Sequence, residues 1–207
     1  MKNNLSKKLL IAGCAFLIFS TRSSAQISVG PEAGFTASGL YDQDAETYAG
    51  VNIHVGATAH FQLNHFLAVR PSLLFKTGSM SLDGYGEKIK LNRISIPIPI
   101  MYSHVFDNGG TVFGGAGPNI MYHLSGKYEM DDMGSRDIEF GSGNSDMKRL
   151  DLGVHIKGGY QFGNGISLST FANIGTTNLS NSSESKIRSL DAIGFSIGWM
   201  FGSNASE

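Results

Sequence analysis

The stretch VNIHVGATAHFQL, residues 51–63, decides the fold. Apolar side chains occupy every odd position from Val51 to Leu63, whereas polar residues or glycine occupy every even position. A period of two places the apolar side chains on one face of a β-strand and the polar side chains on the other. Strands of globular proteins usually have about five or six residues, so this run predicts an unusually long strand with one fully apolar face.

The same alternation recurs along the chain and predicts eight strands. They are residues 27–41, 51–63, 66–77, 92–106, 111–125, 149–162, 166–177 and 189–201. Tight turns containing Asn, Asp and Gly alternate with longer polar segments between the strands. Short turns at one end and long loops at the other predict an all-β, eight-stranded antiparallel up-and-down transmembrane β-barrel with its short turns in the periplasm. The longest loop, residues 126–148, is expected either to hold a small hairpin or to stay without fixed structure.

Composition narrows the class of protein. The chain has 207 residues, enough for one ordinary domain, with 27 glycines and 16% charged residues, which fits an all-β fold better than a helical bundle. The formal net charge of -1 gives no indication of a nucleic-acid partner. The sequence has no metal-ligand spacing, phosphate loop or nucleotide fingerprint, so no metal or cofactor is expected.

The first residues predict export. Several lysines precede the apolar run LLIAGCAFLIF, which is too short to span a membrane stably, and small residues follow it. Cleavage is expected between Ala25 and Gln26, which makes residues 1–25 a signal peptide and residues 26–207 the barrel domain. Cys14 lies in IAGC, which resembles a lipoprotein acceptor site, but the apolar run continues past it. If Cys14 leaves with the signal peptide, the mature chain has no cysteine.

Aromatic residues gather near the ends of the predicted strands. Those that flank the short turns are Phe61, Phe66, Phe106, Tyr160, Phe162, Trp199 and Phe201. Two such clusters, one at each end of the strands, are typical of the interfacial girdles of a membrane barrel. A secreted lipocalin-like barrel is the alternative, because it also alternates but turns its apolar face inward around a ligand. Strand length and the aromatic positions favour lipid outside the barrel.

Three stretches resemble consecutive strands of a known family. They are VRPSLLFKTG (residues 69–78), RISIPIPIMYSH (93–104) and GGAGPNIMY (114–122). They are similar to the PorT-like outer-membrane β-barrel domain family of Bacteroidetes-type Gram-negative bacteria, and the resemblance covers most of the chain after Gln26. It implies an eight-stranded barrel in the outer membrane of a Gram-negative bacterium. The named member of the family serves protein secretion, but the matching motifs are structural and do not carry that role to this chain.

Charged and polar residues on the wet faces predict the contents of the barrel. The predicted interior network consists of Glu32, Arg70, Asp151, His155 and Lys157, with His54, His60 and Lys76 as further interior residues. One interpretation is a gated conduction path. The other, which we favour, is a network of paired charges that fills the lumen, because eight strands leave room only for side chains.

Two further motifs are candidates for special roles. His123 and Ser125 are two residues apart in YHLSGK, a spacing found in some outer-membrane lipid A esterases, and the alternation places both in the lumen. An ordinary polar pair is the preferred interpretation. Pro97 and Pro99 lack N–H donors, so a bulge or an irregular hydrogen-bond ladder is expected there.

The predicted function is therefore a structural or loop-mediated interaction role, without catalysis. The alternatives are a minor channel or secretion-accessory barrel, an outer-membrane lipid-modifying hydrolase, and a soluble lipocalin-like ligand carrier. The expected partners are outer-membrane lipid and a protein at the extracellular or periplasmic side. The barrel is expected to be a monomer.

Overall fold

The computed structural model describes residues 27–42, 48–82, 86–130, 134–143, 146–182 and 186–201. The expected signal peptide and Cys14 lie outside these residues. The strands are β1 Ile27–Asp42, β2 Tyr48–Gln62, β3 Leu67–Val69, β4 Ser72–Leu82, β5 Glu87–Pro97, β6 Ile100–Val105, β7 Thr111–Met130, β8 Gly134–Asp137, β9 Leu150–Gln161, β10 Ile166–Gly175 and β11 Ile187–Trp199. No helix in this part of the chain is long and apolar enough to cross a membrane.

The strands close into a ring. Around it β1, β2, β4, β5, β7, β9, β10 and β11 follow one another, and β11 pairs with β1. Every neighbouring pair is antiparallel. The predicted eight-stranded antiparallel barrel is therefore confirmed. Two positions in the wall are built from two pieces each, β3 with β4 and β5 with β6, which accounts for the larger number of separate strands.

Prolines explain the breaks between these pieces. β5 ends at Pro97 and β6 begins at Ile100, as expected for residues that cannot donate to a ladder. The wall stays hydrogen-bonded across the gap, because the Ile98 N–H donates to the carbonyl of Pro118 at 2.9 Å. The N–H of Arg70 likewise donates to the carbonyl of Pro99 at 3.1 Å. The irregular ladder predicted at Pro97 and Pro99 is confirmed.

The strands run further toward the long loops than the alternation predicts. β2 begins at Tyr48, β4 reaches Leu82, β5 begins at Glu87 and β7 reaches Met130. The apolar alternation stops where the strands leave the lipid, but the hydrogen-bond ladder continues beyond that point. At its far end β7 pairs with β8, so the longest predicted loop does hold a small hairpin.

The apolar face of the alternation points outward. In β2 the side chains of Val51, Ile53 and Val55 are 57–60% exposed, whereas those of Asn52 and His54 are at most 3% exposed. The same contrast holds around the described wall. This is the reverse of a soluble barrel with an apolar ligand cavity, and it matches a barrel whose outer surface meets lipid.

One β-bulge overturns the expected position of Ser125. Arg93 pairs with His123, but the next pair is Asn92 with Ser125, so Leu124 is an extra residue in β7. His123 is fully buried in the lumen, whereas Ser125 is exposed on the outer surface. The prediction that both residues face the lumen is wrong, because the bulge shifts the alternation by one residue.

Candidate functional site: the barrel interior and its long-loop end

A layer of charges crosses the lumen near the short turns. Lys157 Nζ donates to Glu32 Oε1 at 2.5 Å, and both side chains are at most 4% exposed. The Arg70 guanidinium lies 4.5 Å from the centre of the Phe113 ring, and its Nη2 donates to Ser167 Oγ at 3.4 Å. The structure thus brings Glu32, Arg70 and Lys157 into one buried layer.

A second layer is centred on Asp191. Its carboxylate accepts hydrogen bonds from Lys76 Nζ at 2.7 Å, Ser38 Oγ at 2.6 Å and Asn173 Nδ2 at 2.8 Å. The guanidinium of Arg93 lies 3.9 Å from Asp191 Oδ1, the oxygen that accepts from Ser38. Asp191 and Arg93 were not among the residues predicted to line the lumen.

A bulge explains why Asp191 is missed. The outward alternation of β11 includes Ile193, and an unbroken period of two would place Asp191 on the same outer face. The pairing skips one residue between Ile193 and Asp191, so Ala192 is extra and Asp191 turns into the lumen. Arg93, by contrast, lies in phase with the inward residues of its strand, and extending that alternation would have found it.

Asp151 and His155 have neutral partners. Asp151 accepts a hydrogen bond from Ser189 Oγ at 2.5 Å, and the distance between His155 Nδ1 and Asn173 Oδ1 is 2.7 Å. The expectation that each interior charge pairs with an opposite charge holds for Glu32, whereas the hydrogen bond of Asp151 comes from a hydroxyl. The remaining predicted interior residues are His54, bonded to Ser196 at 3.0 Å, half-buried His60, bonded to Gln62 at 2.7 Å, and Lys76.

Buried apolar clusters lie toward both ends of the barrel. Toward the long loops, Leu40, Met80, Leu91 and Leu179 form a buried cluster, which we call the lid cluster. Half-buried apolar residues pack against it; they are Tyr48, Ile89, Ile138, Phe140, Met147 and Ile187. Toward the short turns, a second buried cluster consists of Ala68, Met101 and Phe113.

The two loops that pack on the strand residues of the lid cluster are tied together. Asn181 Nδ2 donates to the backbone carbonyls of Gly141, Gly143 and Asp146 at 3.0–3.1 Å. The N–H of Lys148 donates to the carbonyl of Leu179 at 2.9 Å. The loop after β8 and the loop after β10 therefore form one hydrogen-bonded unit over the barrel.

With this geometry established, comparison with known proteins places the chain in a family. A sequence model of the outer membrane protein beta-barrel domain matches residues 20–184. The chain belongs to this family. No curated protein matches the sequence.

Two solved structures of outer-membrane barrels resemble this one. Neisserial surface protein A (NspA) gives a TM-score of 0.50 at 10% identity and covers 87% of this chain and 100% of its own. Ail, the attachment invasion locus protein of Yersinia pestis, gives a TM-score of 0.43 at 12% identity and covers 84% of this chain and 98% of its own. At such identities NspA shows the fold alone.

In an outer-membrane barrel, aromatic side chains mark the edges of the bilayer. The residues predicted to flank the short turns lie there, and most of them pack against another aromatic ring. Phe66 stacks on Tyr102 with their ring centres 6.1 Å apart, and the ring centres of Trp199 and Phe201 are 4.9 Å apart. The contacts continue through Phe106, Tyr160 and Phe162, and Phe61 is half-buried.

The opposite edge of the apolar band is marked on each strand by its last outward apolar residue. On β4, β5, β7 and β9 these residues are Phe75, Ile94, Leu124 and Leu150. The next outward residues of β4, β5 and β7 are polar and hydrogen-bonded to one another. Thr77 Oγ1 donates to Asn92 Oδ1 at 2.6 Å, and Asn92 Nδ2 donates to Ser125 Oγ at 2.9 Å. The twelve residues of β9 between the two edges span roughly 25–30 Å when tilted, which fits the apolar band of such barrels.

Two chemistries are candidates for this site, metal binding and a serine–histidine pair. The described residues contain no group of three or more His, Cys, Asp or Glu that could hold a metal ion. His123 and Ser125 lie on opposite faces of the wall, so the histidine cannot act as a base for this serine. Within the described part of the chain, the ring nitrogens of buried His123 have no hydrogen-bond partner, and neither do Asp151 Oδ1 and Arg93 Nε.

Proposed function

We propose that this outer-membrane barrel is a non-conducting anchor that presents its long-loop end to a protein partner. The observation that carries the proposal is the filled lumen. Two buried charge layers cross it, and buried apolar clusters lie toward both of its ends. An open path for ions through the described part of the barrel would require the side chains of several strands to move together.

The long-loop end is built as a platform. β4, β5 and β7 continue past Thr77, Asn92 and Ser125, the first polar residues beyond their outward apolar stretches, and β8 adds a further strand to the surface. Tyr48 donates a hydrogen bond to Glu87 at 2.8 Å, and Lys90 pairs with Glu129 at 2.8 Å. An ordered surface of mixed charge suits protein recognition, because charge complementarity selects partners and their orientation.

The alternative functions have less support. A lipid-modifying hydrolase would need a base near Ser125, but the polar side chain that bonds it is the amide of Asn92. A channel would need a lumen that is open to water. The narrower kinship with PorT-like barrels rests on the three strand sequences given above and is part of this proposal, as are the monomeric state and the periplasmic position of the short turns.

Conductance measurements test directly whether the barrel is closed to ions. In planar bilayers, protein that shows the migration of a folded barrel is expected to give no large, steady current, because the Glu32–Lys157 layer and the lid cluster block the path. Large, stable currents from wild-type protein would overturn the filled-lumen reading and make the protein a pore.

Site-specific crosslinking tests whether the long-loop end contacts a protein partner. A photo-reactive amino acid replaces exposed Arg136 of β8 in native outer membranes, and the control places it at exposed Asn108 in a short turn. We expect a discrete protein adduct from position 136 and none of the same size from position 108. Identical adducts from both positions, or no protein adduct from position 136, would contradict recognition through the long-loop end.

A further inference from the structure

A groove opens on the outer wall of the barrel beneath the loop that follows β8. Its volume is about 500 Å³, and its lining combines apolar and cationic side chains. The residues that matter here are Phe140, Lys148, Arg149, Leu150 and Leu152. The groove faces the surroundings of the barrel rather than its lumen, because Leu150 and Leu152 are 49% and 46% exposed on the lipid side.

The groove straddles the edge of the bilayer. Leu150 is the first residue of β9 and its last outward apolar residue toward the long loops, and Arg149 and Lys148 lie directly beyond it. A molecule in the groove would therefore have one part beside hydrocarbon and another beside two cations, at the depth where lipid headgroups begin.

Both cations are available to an anion. Arg149 Nη1 makes long contacts of 3.4 Å with the backbone carbonyls of His123 and Leu124, and its guanidinium lies 5.2 Å from the centre of the Phe140 ring. Lys148 Nζ donates to the carbonyl of Asn178 at 2.9 Å. The ion pairs found among the described residues involve other cations, so neither charge is neutralised by a carboxylate there.

We propose that this groove binds a phosphate-bearing lipid of the surrounding leaflet. Its phosphate contacts Arg149 and Lys148, because a guanidinium and an ammonium are strong charge-assisted donors to phosphate oxygens. Its acyl chain lies along Leu150 and Leu152, where apolar contact replaces contact with water. Charge complementarity at the apolar boundary selects this occupant over an uncharged lipid. The inference is independent of the protein partner proposed above.

The test measures lipid binding to the full-length mature protein in an uncharged detergent. Native mass spectrometry compares dioctanoyl phosphatidic acid with dioctanoylglycerol, which has the same chains and no phosphate. We expect retained phosphatidic acid and little retained dioctanoylglycerol. Since one cation near a membrane surface contributes about a fivefold effect, Lys148→Gln together with Arg149→Gln should weaken phosphatidic acid binding by roughly 25-fold.

Matched controls separate this site from general attraction between charges. Lys90→Gln removes a cation at the same end of the barrel that is already paired with Glu129, and it should leave binding unchanged. Inorganic phosphate at the same concentration should compete poorly because it lacks the acyl chains. Equal losses in the Lys90 variant and the double variant, equal binding of both lipids, or full competition by inorganic phosphate would each overturn the proposal.

Discussion

At the scale of single residues, the interior carboxylates differ in the groups that they pair with. Glu32 neutralises buried Lys157 and lies near Arg70, and Asp191 receives three hydrogen bonds. Asp151 accepts its bond from a serine. Removing one member of a buried ion pair leaves its partner charged in a medium that solvates it poorly, so these three acids contribute unequally to stability.

Glu32→Gln should lower the free energy of unfolding by about 3–5 kcal/mol, because it strands the Lys157 ammonium. Urea unfolding in lipid vesicles measures the change. Glu129→Gln is the control, since its exposed pair with Lys90 is worth about 0–1 kcal/mol. Asp151→Asn should fall between them. Equal effects of the Glu32 and Glu129 substitutions would show that the interior layer is hydrated and open.

Beyond the bilayer edge, hydrogen bonds from the hydroxyls of Tyr128 and Tyr48 lower the pKa of the Glu87 carboxyl below its usual 4.5. A pKa lowered by folding stabilises the folded state above the unfolded value, and this contribution is lost as pH falls through the folded value. Tyr48→Phe should therefore raise the pKa of Glu87, as measured by carboxyl carbon NMR in micelles. Tyr41→Phe, at the same end, should not. An unchanged Glu87 titration in the Tyr48 variant would contradict the hydrogen bond.

At the scale of elements, local alternation predicts the strands but not the bulges. Both YHLSGK and the residues around Asp191 read as unbroken strands in isolation. The extra residues, Leu124 and Ala192, appear only when partner strands set the register, which is information from distant parts of the chain. The fold, the lipid face and the Glu32 layer were therefore predictable. The position of Ser125 and the role of Asp191 were not.

Phe171 shows the same limit of local reasoning. In the sequence it interrupts the alternation of apolar and polar residues over 166–177. In the structure it is buried in the lumen between His54 and His155, with Lys76 Nζ 5.2 Å from its ring centre. It packs opposite Gly194, where a Cβ would collide with the ring. The lumen accepts an aromatic ring because a strand neighbour lacks a side chain.

Depth in the bilayer should decide the effect of a charge on the outer face of β9. Ile156→Arg near the middle of the strand should destabilise the barrel by about 2–4 kcal/mol, whereas Leu150→Arg at the bilayer edge should cost about 0–1 kcal/mol. Urea unfolding in lipid vesicles measures both. Similar losses at the two positions would mean that the apolar band has been placed at the wrong height.

At the scale of the whole molecule, closure depends on the last strand. β11 pairs with β10 on one side and with β1 on the other, so without it the sheet has two unpaired edges in lipid. The lid cluster depends on the same closure, because Leu40 of β1 and Ile187 of β11 are both part of its packing.

Removing β11 should abolish the closed barrel. Wild-type protein is expected to migrate differently on a denaturing gel before and after boiling, and a chain ending at residue 186 should migrate identically in both cases. A chain ending at Phe201 is the control and should behave like wild type. Heat-modifiable migration of the chain without β11 would show that the remaining strands close by another pairing.

The pairing of β1 with β11 also governs when the barrel can form. Thr36 and Ile193, joined by a hydrogen bond across this pairing, are 157 residues apart in the chain. Contacts between such distant residues form slowly because the loop-closure entropy is lost before the contact is gained. Nearly the entire polypeptide must therefore be synthesised before β1 can pair with β11. During that interval its apolar strands remain prone to aggregation, so the late meeting of β1 with β11 is the stage at which association with other chains competes most with folding.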